Sequence, residues 1–159
     1  MQKYNRQKAI EYAQKWALSS NPDFYHFGGI GGDCTNFISQ CLLAGGAKMN
    51  FSQPDGWFYI NLYNRSASWT SVYYLQKFLL SNMSPGISTH FESLHNLQEG
   101  DLIQLRQKPN KDFNHTLIIT RIENEKIYIC AHSDDAKNRL LSSYDYEELV
   151  GIHIVGINN

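Results

Sequence analysis

Apolar and polar positions along the chain change their period part-way. From Lys3 to Leu18, Ala9, Tyr12, Ala13, Trp16 and Ala17 recur on one helical face, and the pattern stops before Asn21-Pro22. A loop, DFYHFGGIGGD, follows with Gly28, Gly29, Gly31 and Gly32. The run CTNFISQCLLAGG then predicts a second helix. Phe37, Ile38, Cys41 and Leu42 form its apolar stripe, and Gly45-Gly46 forms its C-terminal stop. Lys48 to Ser68 is irregular, polar and aromatic. Ser68 to Leu80 predicts a third helix with Val72, Leu75, Phe78 and Leu79 inward.

After Gly100 the segments DLIQLRQ, HTLIITRIE, KIYICAH and GIHIVGI are short, rich in β-branched residues and separated by turn residues. They predict antiparallel strands. Helices first and strands second make an α+β domain, with N-terminal helices packed on a C-terminal antiparallel sheet. The chain's 159 residues suit one domain spanning 1–159, and no repeat or linker divides it.

Composition narrows the class of function. A formal net charge of −1 without any block of like charge gives no footprint for nucleic acid or a membrane surface. No window approaches the length of a membrane span, and the polar N-terminus has no secretory core, so a cytoplasmic location is expected unless a leader was removed or the chain was cut from a larger exported protein. Three cysteines, an odd number, make free thiols the default.

Cys34 has the most informative setting. It follows the glycine-rich loop and opens a predicted helix, where unpaired N–H groups and the helix dipole favour a thiolate and can bind an oxyanion. Cys41 on the apolar stripe and Cys130 in a strand read as packed residues. His115 begins a strand, from which it can lean toward a helix N-terminus and act as a base. His90, His95 and His153 read as structural or surface residues, and His26 as a neighbour of the cleft. A base needs an orienting partner. In KIYICAHSDD, Cys130, His132 and Asp134 share one strand face and Ile127, Ile129 and Ala131 the other, so either His132 or Asp134 can serve, with His132 preferred. Trp57 and Tyr59 are expected to wall the cleft. His115, His132, Asp134 and Asp135 are ligand types, but they lack the spacings of metal motifs, and GGIGGDCT lacks the ending of a phosphate loop. No metal or other cofactor is expected.

The blocks YNRQKAIEYAQKWALSSNPDFYHF, GGDCTNFISQCLLAGG, SWTSVYYLQKFL, EGDLIQL, NHTLIIT and AHSDD, in that order, resemble the bacterial putative amidase domain family. That family in turn resembles the papain-like superfamily, including bacterial cell-wall endopeptidases and amidases. The resemblance implies a papain-like fold. It implies Asp33, Cys34 and Thr35 as the nucleophile block, His115 as base and His132 as third member. Tyr25 stands where many such enzymes place a tyrosine supporting the oxyanion, while Gly28 stands six residues before Cys34, where plant-type members have glutamine. The implied chemistry is acyl transfer through a thioester on a peptide-like or acyl-thioester substrate. Water as acceptor makes an amidase or peptidase; an amine acceptor makes an amide-forming acyltransferase of transglutaminase-like logic. A binding module that kept the fold without catalysis is the contrasting class.

Overall fold

The computed structural model describes residues 1–29 and 32–159. The glycine-rich loop is therefore described except for Ile30 and Gly31, which lie outside the described residues. The predicted α+β layout is present. Helix α1 (Arg6–Trp16) and helix α2 (Cys34–Ala44) are followed by a small hairpin, β1 (Tyr59–Asn61) and β2 (Asn64–Arg65). Helices α3 (Ala67–Thr70) and α4 (Val72–Ser81) come next, then β3 (Gly86–Glu92), β4 (Leu102–Arg106), β5 (His115–Glu123), β6 (Lys126–Ala131), β7 (Ala136–Leu140) and β8 (Glu148–Asn158). The last six strands form one antiparallel sheet in the order β3-β8-β4-β5-β6-β7.

Both sheet faces are covered, which explains why strands such as TLIIT read as nearly continuous apolar runs. Ile118 and Cys130 point into the core beneath the helices with Ile38, Cys41 and Leu42. Leu117, Ile119, Ile129 and Ala131 point into a second core with Leu141 and Tyr144. The face assignment made for β6 holds from Ile129 to His132. It fails at Asp134, whose φ of 72° belongs to the turn after the strand.

Three local expectations are corrected. The predicted third helix is broken at Ser71, which has extended backbone (φ −107°, ψ 128°). Its side chain accepts a hydrogen bond from the Tyr74 N–H and so begins α4 afresh, as serine does when it competes with a continuous helix. β3 and β7 were not predicted. GISTHFE and AKNRL carry few of the large aliphatic residues that mark buried strands, and they lie at the two edges of the sheet, each with one strand neighbour. Trp57 does not wall a cleft. It is fully buried, stacks near Trp69 and Phe78, and donates its indole N–H to Ser39 Oγ at 3.1 Å. An indole with a satisfied N–H is worth most in a core, so the aromatic segment anchors α2 from behind.

Candidate active site

Cys34 is the first residue of α2, and this helix is buried along Cys34–Leu42. Its apolar stripe packs on the sheet, and its polar positions are bonded to neighbouring elements. Asn36 Nδ2 donates to the Tyr25 carbonyl and to Asp33, while its Oδ1 accepts from Trp69 Nε1. Thr35 Oγ1 meets Thr116 Oγ1 of β5 at 3.1 Å. The sheet thereby fixes both the height and the rotation of the helix start.

The Cys34 thiol sits at this junction. Sγ lies 3.8 Å from Thr35 Oγ1 and 3.9 Å from the carbonyl oxygen of Asn114, the residue immediately before His115. The strand start thus brings His115 within one peptide unit of the sulfur. Asp33 occupies the N-cap position but gives the helix no side-chain cap. The first-turn N–H groups beside the thiol are left without that partner, the arrangement that can receive an oxyanion.

His115 is nearly buried and belongs, by alternation along β5, to the face of Leu117 and Ile119. Its ring centroid is 6.0 Å from that of Tyr144. Among the described residues its ring makes no hydrogen bond, to Cys34 or to any other group. Burial pushes its pKa down to about 4, opposed by the nearby charge of Asp134 and assisted by that of Arg139. Burial also pushes the Cys34 thiol up, although hydrogen-bonding groups of Thr116 and Thr35 pull the other way. The low-pKa thiol expected at the helix start is therefore corrected: desolvation outweighs local stabilisation of the anion, and burial favours the neutral form of both Cys34 and His115.

His132, the preferred third member, does not contact His115. It lies on the helix-facing side of β6, stacked on Phe37 with centroids 4.0 Å apart and planes 14° from parallel. Nδ1 is bonded to Asp33 Oδ2 at 2.6 Å and Nε2 to the Trp16 carbonyl at 2.7 Å. Both nitrogens are thus engaged away from His115. Asp134, the alternative, is the carboxylate whose charge acts on His115; it is exposed and paired with Arg139 Nη1 at 3.2 Å.

Asp33 is 2 % exposed. Besides His132, its carboxylate accepts from the Phe27 N–H at 2.7 Å and from Asn36, and its own N–H donates to Ser133 Oγ at 2.8 Å. Gly32 comes so close to that serine that a Cβ would lie 3.3 Å from Oγ, and its φ of 99° suits glycine. Asp33 is thus the fastening of the loop and not part of an open cleft wall. Tyr25 is partly exposed; its backbone carbonyl holds Asn36 and its N–H donates to Tyr59. Cys41 and Cys130 are buried core residues.

His26, Asp33 and His132 bring ligand-type atoms within 4.8 Å of one another. This set differs from the one weighed from sequence, sharing only His132. The short His132–Asp33 contact is a hydrogen bond, and the second His132 nitrogen is bonded to the Trp16 carbonyl, so both nitrogens of that ring already have protein partners. Sequence reading missed Asn114, Thr116, Tyr144 and Arg139. Asn114 and Thr116 flank His115 and could have been found by asking what its strand neighbours touch. Tyr144 and Arg139 come from β7 and the turn after it and carry no such signal.

The family model for the putative amidase domain matches residues 3–155. The chain belongs to the putative amidase domain family. Membership points to an enzyme acting on amide bonds. Uncharacterized protein YhbB of Bacillus subtilis (strain 168) is 34% identical over 146 residues, covering 89% of this chain and 45% of that protein. Uncharacterized protein YjcM of the same strain is 27% identical over 143 residues, covering 85% of this chain and 32% of that protein. The amidase domain therefore spans less than half the length of these relatives. No solved structure matches it. Among the described residues of this amidase-family chain, no helix is long and apolar enough to cross a membrane.

Proposed function

We propose that the chain is a cysteine-nucleophile amidase that cleaves a peptide-like amide through a thioester. The observation that carries this reading is the junction of α2 and β5: the Cys34 thiol opens the helix and lies 3.9 Å from the carbonyl that leads into His115. A neutral thiol and a neutral imidazole carried by the same helix–strand junction are a competent resting state once the ring is brought to the sulfur. As Sγ attacks the substrate carbonyl, His115 takes the thiol proton, and the first-turn N–H groups of α2 receive the developing oxyanion. The C–N bond then breaks, with the same proton passing to the departing amine. Water, deprotonated by His115, attacks the thioester; the C–S bond breaks, the proton passes from His115 to Sγ, and the released carboxylic acid ionises to solvent. In this reading His115 turns toward the sulfur as substrate enters, and Asp134, the alternative third member, supplies the negative charge that steadies the imidazolium.

Intact-mass measurement after exposure to activated peptide esters and amides tests the reading. A single acyl adduct is expected on wild-type protein and none on Cys34→Ala. Adding primary amines then shows the acceptor: free acid means hydrolysis, and an amide product means acyl transfer to an amine. If adducts form equally on Cys41 or Cys130, or if none forms at all, the nucleophile assignment fails and a binding module is the better account.

A further inference from the structure

The ring of His132 faces two acceptors. One is the Asp33 carboxylate at Nδ1, 2.6 Å away; the other is the Trp16 backbone carbonyl at Nε2, 2.7 Å away. A backbone carbonyl can only accept, so Nε2 carries hydrogen. Asp33 already accepts from the Phe27 N–H and the Asn36 amide, the surroundings of an ionised carboxylate. An ionised carboxylate also only accepts, so Nδ1 carries hydrogen too. A ring with hydrogen on both nitrogens is an imidazolium.

We propose that His132 is a positioning residue charged at neutral pH, an imidazolium that fastens Asp33 and cancels its negative charge beside the Cys34 nucleophile. The pair does two things at once. It ties three elements together at the start of α2: the end of α1 through Trp16, the loop through Asp33, and the end of β6 through His132 itself. It also answers an electrostatic difficulty. Asp33 precedes the nucleophile, and its charge opposes formation of the Cys34 thiolate. An anion placed there hinders the chemistry unless a cation shares its site. His132 supplies that cation with its ring held flat on Phe37.

The groups facing His132 from each packed element fit this assignment. From α1 it meets a neutral carbonyl. From the loop it meets Asp33 and, with ring centroids 6.1 Å apart, the partly exposed His26, whose Nε2 is 3.7 Å from Asp33 Oδ2. From the turn after β6 it feels the charge of Asp135. Hydrogen bonds to Asp33 and Trp16 and the two carboxylate charges favour the protonated ring, outweighing the desolvation that opposes it.

The role rests on Cys34 being the nucleophile, but the charge state does not, so two measurements separate the two claims. Nitrogen-15 NMR of the imidazole rings in the full wild-type chain reads the charge directly. Both His132 nitrogens are expected at protonated-type shifts at neutral pH, persisting well above the range where an exposed histidine titrates. A non-protonated nitrogen at neutral pH, whether the proton is lost or has moved to Asp33, overturns the proposal. The second measurement is the iodoacetamide rate of Cys34 as a function of pH. His132→Asn leaves Asp33 uncompensated, and the rate at neutral pH should fall on the order of tenfold as the thiol pKa rises. The double variant Asp33→Asn/His132→Asn removes both charges and should recover to within about threefold of wild type. If single and double variants are slowed alike, the pair is only a structural tie and the electrostatic role is refuted. Should the single variant fail to fold, the NMR result on wild type still decides. An absence of acyl adducts alongside a charged His132 sinks the proposed function and leaves the charge assignment standing.

Discussion

Acidification should weaken this fold through His115, and the size of the effect follows from its burial. The ring is nearly enclosed and without a hydrogen bond, and burial lowers its pKa from 6.5 to about 4. The folded-state value lies below the unfolded one. As pH falls through about 6.5 the unfolded chain takes up a proton that the folded protein refuses until about pH 4. Stability from this residue is therefore complete above that window and is lost progressively within it. Between pH 7 and pH 5 the loss is about 2 kcal/mol, and it approaches roughly 3 kcal/mol on crossing the whole interval. Urea unfolding at pH 7 and pH 5 measures it, with His115→Asn as the control that cannot titrate. Wild type should lose about 2 kcal/mol more than the variant over that step. The double difference removes the acid-dependent contributions of Asp33 and His132, which both proteins share. Equal losses in the two proteins would refute a buried, neutral His115. The resting state proposed for catalysis, with a base ready to accept the thiol proton, would go with it.

Three further outcomes are expected. Asp134→Asn removes the charge that raises the His115 pKa, so the acidic limb of the kcat/KM profile should move to lower pH, and kcat should fall if Asp134 steadies the imidazolium; an unmoved profile excludes that role. Trp57→Ala empties a fully buried site and should cost about 3–5 kcal/mol in urea unfolding, whereas a residue of an exposed cleft wall would cost far less. Ser71→Ala removes the cap that begins α4 and should lower stability by about 1 kcal/mol, with activity per folded molecule unchanged.

The α+β order, α1, α2 and the four strands of the sheet interior were legible because periods of 3.6 and 2 are local properties of which residues face a core. The edge strands β3 and β7 were not, since an edge is held by pairing with a neighbour and needs little apolar signal of its own. Ser71 shows the same limit at one residue: its position in a helical stretch was visible, but the hydrogen bond that breaks the helix depends on geometry.

At the site, the sequence by itself determined that a cysteine opens a helix after a glycine-rich loop and that a histidine opens a strand. Those are statements about neighbours along the chain, and motif and periodicity carry them. Only the tertiary structure decided what each polar side chain answers to. His132 and Asp134 sit two residues apart, yet one turns under α2 to Asp33 and Trp16 while the other faces solvent near Arg139, with its charge felt by His115. The protonation states of Cys34, His115 and His132 were likewise set by burial and by partners up to 116 residues away in sequence. Desolvation and hydrogen bonding act through space, and a one-dimensional pattern does not hold those distances.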